Sequence, residues 1–323
     1  MTARAMRAAV FTGAQRLHVA SLALPDPGPH DIRIRLEGCG ACASNLPVWE
    51  GRPWFAYPLA PGAPGHEGWG RIEALGCDVR GLALGQRVAV VSFHAYATHD
   101  VAPADMIVLL PASLEGVPFP GEALGCAVNV FRRSAIISGQ TVAIIGIGFL
   151  GALLTALATQ AGARVIAISR RAFALEIARQ YGATTTIRLD DPQHVVAQVQ
   201  ALTGGAGCER VIEAVGQQAP LDLAGELTGV GGRLIIAGYH QDGLRQVNMQ
   251  LWNWRGLEVI NAHERDPAVI LEGMRMAVDA VTRGTLDPMP LYTHKATLEQ
   301  LPMVFAAMQQ RPDGFLKAWI TYE

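Results

Sequence analysis

The sequence predicts an α/β fold in two domains, one β-rich and one a doubly wound parallel sheet, and three observations carry that expectation. The chain has 323 residues, enough to bury two cores of ordinary size. Up to about Pro120, short β-rich runs such as DIRIRLEGCG, GWGRIEAL and RVAVVSFHA alternate with turns dense in Gly and Pro. From Gly139 the texture changes to apolar runs alternating with helical patterns, the signature of β-α-β units on a parallel sheet.

Within the second region, TVAIIG, RVIAIS, ERVIEAV, RLIIAG and LEVINA are continuous apolar runs, as expected of strands buried on both faces. The helices between them stop where glycine favours a left-handed end, at Gly162 after FLGALLTALATQA and Gly182 after LEIARQY. The C-terminal segment holds two helical patterns, LEGMRMAVDAVTRG and LEQLPMVFAAMQQ, and ends in the strand-like LKAWITYE. The expected division is residues 1–127 with 264–323 as one domain and residues 128–263 as the other.

Half the residues are apolar and 17% are charged, the composition of a globular protein rather than a disordered one. The net charge is −2 and no basic run tracks a phosphate backbone, which argues against nucleic acid as a ligand. The N-terminal stretch has too short an apolar run for a secretory signal, and glycines interrupt the longer apolar runs, so no membrane span is expected and the cytoplasm is the expected compartment. Five cysteines, an odd number in a reducing compartment, point to metal binding or inert burial rather than disulfides.

The strand TVAII runs into Gly146-Ile147-Gly148-Phe149-Leu150-Gly151 and then into a helix, the context that makes a GxGxxG pattern a dinucleotide site. Gly146 is expected to allow the tight turn, Gly148 the approach of the pyrophosphate, and Gly151 close helix–strand packing, with Leu150 inside the same turn. At the end of the second strand, where an acid would hold the ribose hydroxyls of NAD, stand Ser169, Arg170 and Arg171. Two guanidinium groups suit a 2′-phosphate, which favours NADP, with NAD as the alternative.

Cys42, His66 and Cys126 lie at turns in or beside the first domain, 24 and 60 residues apart. Two thiolates and an imidazole leave one tetrahedral position of a zinc ion open, the arrangement of a catalytic site; alcohol dehydrogenase is the standard example of that Cys₂His set. At these residues the chain resembles the zinc-containing medium-chain dehydrogenase/reductase superfamily. GCGACASN around Cys42, PGHEG around His66, EALGCA around Cys126 and GFLK at Lys317 match its motifs, in its order along with GIGFLG.

The resemblance implies a GroES-like β-rich catalytic domain, built from both ends of the chain and clasping a Rossmann doubly wound sheet. It implies that Cys42, His66 and Cys126 hold one catalytic zinc and that Glu67 sits beside it. Ser44 would pass the hydroxyl proton, and Lys317 would contact the cofactor. The implied reaction is hydride transfer between NADP(H) and a small-molecule alcohol or carbonyl compound, in a homodimer or homotetramer. A zinc-retaining reductase of C=C or C=N bonds, and a dinucleotide-binding protein without turnover, stay open.

Three positions depart from the family pattern. Pro47 stands where a histidine ends the proton relay, Asn45 stands where an acid is usual, and the stretch from Val91 to Ala102 has no cysteine, so no structural zinc is expected. Cys39 is expected to be packing, and Cys77 and Cys208 plain thiols in turns. His94 and His99 are read as ordinary loop histidines. His240 and His263 follow strand ends on the side where ligands bind an open parallel sheet. Trp49, Trp54, Phe55 and Tyr57 suit either the substrate cleft or the core, and Trp252 and Trp254 a dimer contact or packing.

Overall fold

In a computed structural model that describes residues 5–241 and 243–322, the chain divides into two compact units. One comprises the chain up to Gly125 together with Asp266 onward, the other Cys126 to Arg265. The joins fall two residues from those read in the sequence.

The first unit opens with an antiparallel hairpin, β1 (Ala5–Gly13) and β2 (Arg16–Ala23), which the sequence reading does not anticipate. The remaining elements in order are β3 (Asp31–Gly40), α1 (Leu46–Glu50), β4 (Gly68–Leu75), β5 (Arg87–Val90), β6 (His99–Pro103) and β7 (Ile107–Leu109). In β3, Ile32, Ile34 and Leu36 alternate into the core with the two-residue period of a strand. The run RVAVVSFHA is strand only as far as Val90. Beyond it the chain turns, exposing Phe93 and burying Tyr96. Helix α2 (Gly121–Ser134) begins in this unit and crosses the join at Cys126.

The second unit consists of β8 (Thr141–Ile145), α3 (Phe149–Gln160), β9 (Arg164–Ser169), α4 (Ala172–Gln180), β10 (Thr185–Arg188), α5 (Pro192–Leu202), β11 (Cys208–Glu213), α6 (Gln218–Leu227), β12 (Thr228–Ile236), α7 (Met249–Arg255) and β13 (Glu258–Asn261). Its six strands are parallel in the order β10-β9-β8-β11-β12-β13. The chain winds outward from β8 to β10, returns to β11 beside β8, and winds outward again. That reversal puts the loop after β8 at the topological switch point of a doubly wound sheet. Val142, Ile144 and Ile145 are fully buried, consistent with a strand covered on both faces. Gly162 and Gly182 adopt the left-handed conformation, φ +80° and +90°, just past α3 and α4. Strand β10 escapes sequence reading because TTIR buries only Ile187 at the sheet edge.

The chain then returns to the first unit through α8 (Pro267–Thr282), β14 (Tyr292–Thr297), α9 (Leu301–Gln310) and β15 (Lys317–Thr321). Asp266 caps α8 by accepting from the Ala268 amide at 2.9 Å. Strand β15 pairs antiparallel with β3, which completes a seven-stranded sheet from both ends of the sequence. Against that sheet lies an aromatic core in which Trp49 stacks on Phe305 at 5.2 Å. Trp49 is therefore a core residue, whereas Trp54 is exposed. Among the described residues no helix is long and apolar enough to cross a membrane.

Candidate functional site

Cys42 follows β3 in extended backbone and precedes a 3-10 turn, Ala43–Asn45, that carries Ser44. The turn is closed by the Asn45 amide donating to the Cys42 carbonyl at 3.0 Å. It leaves the Ser44 hydroxyl donating to the Cys42 sulfur at 3.2 Å. His66 and Glu67 stand at the entry to β4. The ligating atoms of Cys42, His66 and Glu67 all lie within 4.8 Å of one another. Residues far apart in sequence thus meet because β3 and β4 are sheet neighbours.

The direction of each hydrogen bond here follows from the Pro64 carbonyl, which can only accept. His66 Nδ1 lies 2.9 Å from that oxygen, so Nδ1 carries a proton and Nε2 is the ring nitrogen through which a metal could be bound. Burial would lower the His66 pKa, but the hydrogen bond to and charge of Cys42, then the charges of Glu122 and Glu67, push it up to about 10. So many anionic donors around one imidazole make a site that fits a cation.

Glu67 is 1% exposed and Lys317 is 4% exposed. The Lys317 ammonium lies 2.7 Å and 2.5 Å from the two Glu67 carboxylate oxygens. Burial would lower the Lys317 pKa, and the adjacent Glu67 and Cys42 outweigh it to hold the group above its ordinary value. Lys317, expected among the cofactor contacts, thus spends its charge on Glu67 at the start of β15. Gly40 makes the pair possible, since a Cβ there would sit 1.8 Å from a Glu67 oxygen.

Cys126, expected as the third thiolate, belongs to the other unit and is not part of this cluster. It is one helical turn beyond Glu122 on α2, and residues four apart share a helix face. Glu122 itself is in the field of His66, Glu67 and Lys317, and its carboxyl is raised by burial. Sequence reading passed over Glu122, although an acid in the first turn of an otherwise apolar helix start was a signal. It also passed over Phe93, 65% exposed with its ring 6.2 Å from that of His66, and over Tyr96.

In the second unit the three glycines of the fingerprint separate by role. Gly146 has φ +97°, and a Cβ there would lie 2.4 Å from Val215. A Cβ on Gly151 would lie 2.1 Å from the Gly146 carbonyl oxygen, so helix and turn can close only without one. A Cβ on Gly148, which caps α3, would meet nothing within 4 Å: that face of the turn is open at a helix N-terminus. Leu150 lies in the first turn of α3. Ser169 is buried at the end of β9, and its Oγ accepts from the Arg171 amide at 3.3 Å. Arg171 caps α4 and reaches back to the Ile147 carbonyl at 3.3 Å, which sets its guanidinium beside the glycine turn; Arg170 is exposed.

Other candidates resolve as follows. Cys39 is fully buried packing, and Cys77 is exposed. Cys208 is no turn thiol: it begins β11, and burial pushes it up to about 12. His94 is exposed, and His99 faces Glu73 at 3.6 Å. His240 donates from Nε2 to the fully buried Glu213 at 3.0 Å and accepts at Nδ1 from Arg245 at 3.0 Å, a chain that ties together the loops after β11 and β12. His263 lies against Tyr239, with ring centroids 5.7 Å apart. Trp252 packs on the core of this unit and Trp254 is exposed.

Comparison with known proteins agrees with the two-part architecture. Residues 28–121 match the model of the alcohol dehydrogenase GroES-like domain, and residues 150–277 that of the zinc-binding dehydrogenase domain. An alcohol dehydrogenase from Cupriavidus necator is 29% identical over 366 aligned positions, covering 97% of each chain. An L-threonine 3-dehydrogenase from Bacillus subtilis is 25% identical, over 90% of this chain and 91% of its own length. A zinc-binding dehydrogenase from Sinorhizobium meliloti, solved with NADP, shares the fold with a TM-score of 0.84 at 24% identity, covering 98% of this chain and 99% of that one. With both family domains matched in order and full-length relatives that are dehydrogenases, the chain belongs to the zinc-containing medium-chain dehydrogenase/reductase superfamily.

Proposed function

We propose that this protein is a zinc-dependent oxidoreductase that transfers a hydride between NADP(H) and an alcohol or carbonyl substrate. The observation that carries the reading is the Cys42–His66 pair, with Ser44 hydrogen-bonded to the thiol and Nδ1 of His66 committed to the Pro64 carbonyl, which leaves Nε2 as the nitrogen for a metal. Cys126, on the same face of α2 as Glu122, supplies the third donor in this reading. These three residues would hold one zinc per chain, which would supply Lewis acidity toward the substrate oxygen, and a nicotinamide bound at the glycine turn would supply or take the hydride. Ser44, hydrogen-bonded to the Cys42 sulfur, would take the substrate hydroxyl proton in this reading. Glu67 is not a permanent ligand here, because Lys317 already neutralises it.

The open face of Gly148 at the start of α3 suits a pyrophosphate, and Arg171 beside the glycine turn suits a 2′-phosphate, which NAD lacks. A structural relative solved with NADP is consistent with that choice. Five cysteines with no disulfide fit the cytoplasm. A second copy of the chain fits the edge strand β13, whose residues are largely exposed and which follows the 87% exposed Trp254.

Metal content by elemental analysis, on protein purified without chelator, tests the core of the reading. About one zinc per chain is expected by the open three-donor rule, and its loss in Cys42→Ala. A wild-type protein without zinc would sink the proposal.

A further inference from the structure

The bonds around Asn45 run in one direction only. The Pro64 carbonyl accepts from His66 Nδ1 at 2.9 Å and from Asn45 Nδ2 at 3.3 Å. With the amide nitrogen committed to that carbonyl, the Asn45 oxygen points away from it, and there it meets the Tyr96 hydroxyl at 2.8 Å. The phenol must therefore donate. Asn45 is 3% exposed and Tyr96 fully buried, so water cannot substitute for either partner. Burial also holds the phenol well above its ordinary pKa, so the donor proton stays in place.

The backbone fixes the same relation. Ala95 and Tyr96 donate their amides to the carbonyls of Gly65 and Gly62 at 2.9 Å and 3.0 Å, which ties the loop carrying the phenol to the loop carrying Pro64 and His66. A Cβ on Gly65 would lie 2.3 Å from the Tyr96 nitrogen, so only glycine permits that approach. A carboxylate at position 45 would set an acceptor against the Pro64 carbonyl, where the amide sets a donor. The asparagine and the tyrosine form one neutral unit matched to that carbonyl.

We propose that Tyr96 is a positioning residue of the metal centre: its hydroxyl fixes the orientation of the Asn45 amide, and the pair holds the Pro64 carbonyl so that His66 presents Nε2 to the metal. This rests on the reading of Cys42 and His66 as metal ligands. Without the phenol the Asn45 amide is free to turn over, offer its oxygen to His66 Nδ1 and let the imidazole pivot. Groups that orient a ligating histidine typically govern metal affinity by about 10–100-fold.

The test is zinc affinity of the full-length protein, by competition with a chromophoric chelator, for wild type, Tyr96→Phe, Asn45→Ala and the double variant. Tyr96→Phe should weaken zinc binding by about 10–100-fold, and that effect should vanish in the Asn45→Ala background, because the phenol acts only through the amide. Asn45→Ser serves as the background if Asn45→Ala does not fold. Unchanged affinity in Tyr96→Phe overturns the inference. So does an equal loss in both backgrounds, which would mean that Tyr96 acts only by packing on Phe305. A wild type that binds no zinc overturns the ligand reading as well, whereas zinc binding indifferent to Tyr96 overturns this inference alone.

Discussion

Gly148 and Gly151 are three residues apart in one turn, yet a methyl group at each would meet opposite surroundings. At Gly148 it would stand in open space, and at Gly151 against the Gly146 carbonyl. Gly148→Val is thus expected to keep its melting temperature and lose dinucleotide affinity by about tenfold or more, about 1.4 kcal/mol. Gly151→Ala is expected to lose about 1–3 kcal/mol of stability, as overpacked sites do. Thermal unfolding with a fluorescence titration of NADPH on both variants separates the two. Arg171 invites a selective test: Arg171→Ala should weaken NADP about tenfold or more, the worth of a hydrogen bond to a charged group, and leave NAD unchanged. Equal losses for both nucleotides would remove the 2′-phosphate assignment.

At the scale of elements, β6 shows how a strand edge sets pH behaviour. His99 sits at its start, accepting or donating at Nδ1 with Thr98 Oγ1 at 3.0 Å, and burial lowers its pKa despite the attraction of Glu73. The unfolded chain therefore takes up this proton first as pH falls. Stability is fully present above the unfolded value, about 6.5, and declines below it, toward the lower folded value. His99→Asn should make the fall in urea midpoint on acidification shallower. A slope equal to that of wild type would assign the acid sensitivity elsewhere. In the second unit the Glu213, His240 and Arg245 chain joins two loops at the carboxyl ends of the strands.

For the whole molecule, one edge of the parallel sheet among the described residues carries exposed apolar side chains. Among the described residues β13 is the last strand of its sheet, and Val259 and Trp254 are exposed at or just before it. A two-fold pairing of β13 with its copy would continue the sheet from one chain into the next. Trp254→Glu together with Val259→Lys should then shift the sedimenting mass to that of one chain, and a wild type already sedimenting as one chain would end this proposal.

The local chemistry of this protein was written in short segments. The strand TVAII, the glycine turn after it and the glycine helix ends follow from periodicity and backbone freedom, so they were legible without a structure, as were Cys42 and His66 in their motifs. Strands such as β10 and the β1–β2 hairpin were not, because their residues alternate weakly and depend on neighbours for burial. The partners of polar groups were not legible either. That Lys317 meets Glu67, that Glu213 meets His240, and that Tyr96 reaches Asn45 are facts of three dimensions, set by which strands lie side by side. Sequence by itself determined the doubly wound pattern of the second unit and the glycine turn at its switch point, since these depend on spacing along the chain. Tertiary structure alone decided the charge pairing and the direction of each hydrogen bond, because buried polar groups must find partners wherever the fold brings them.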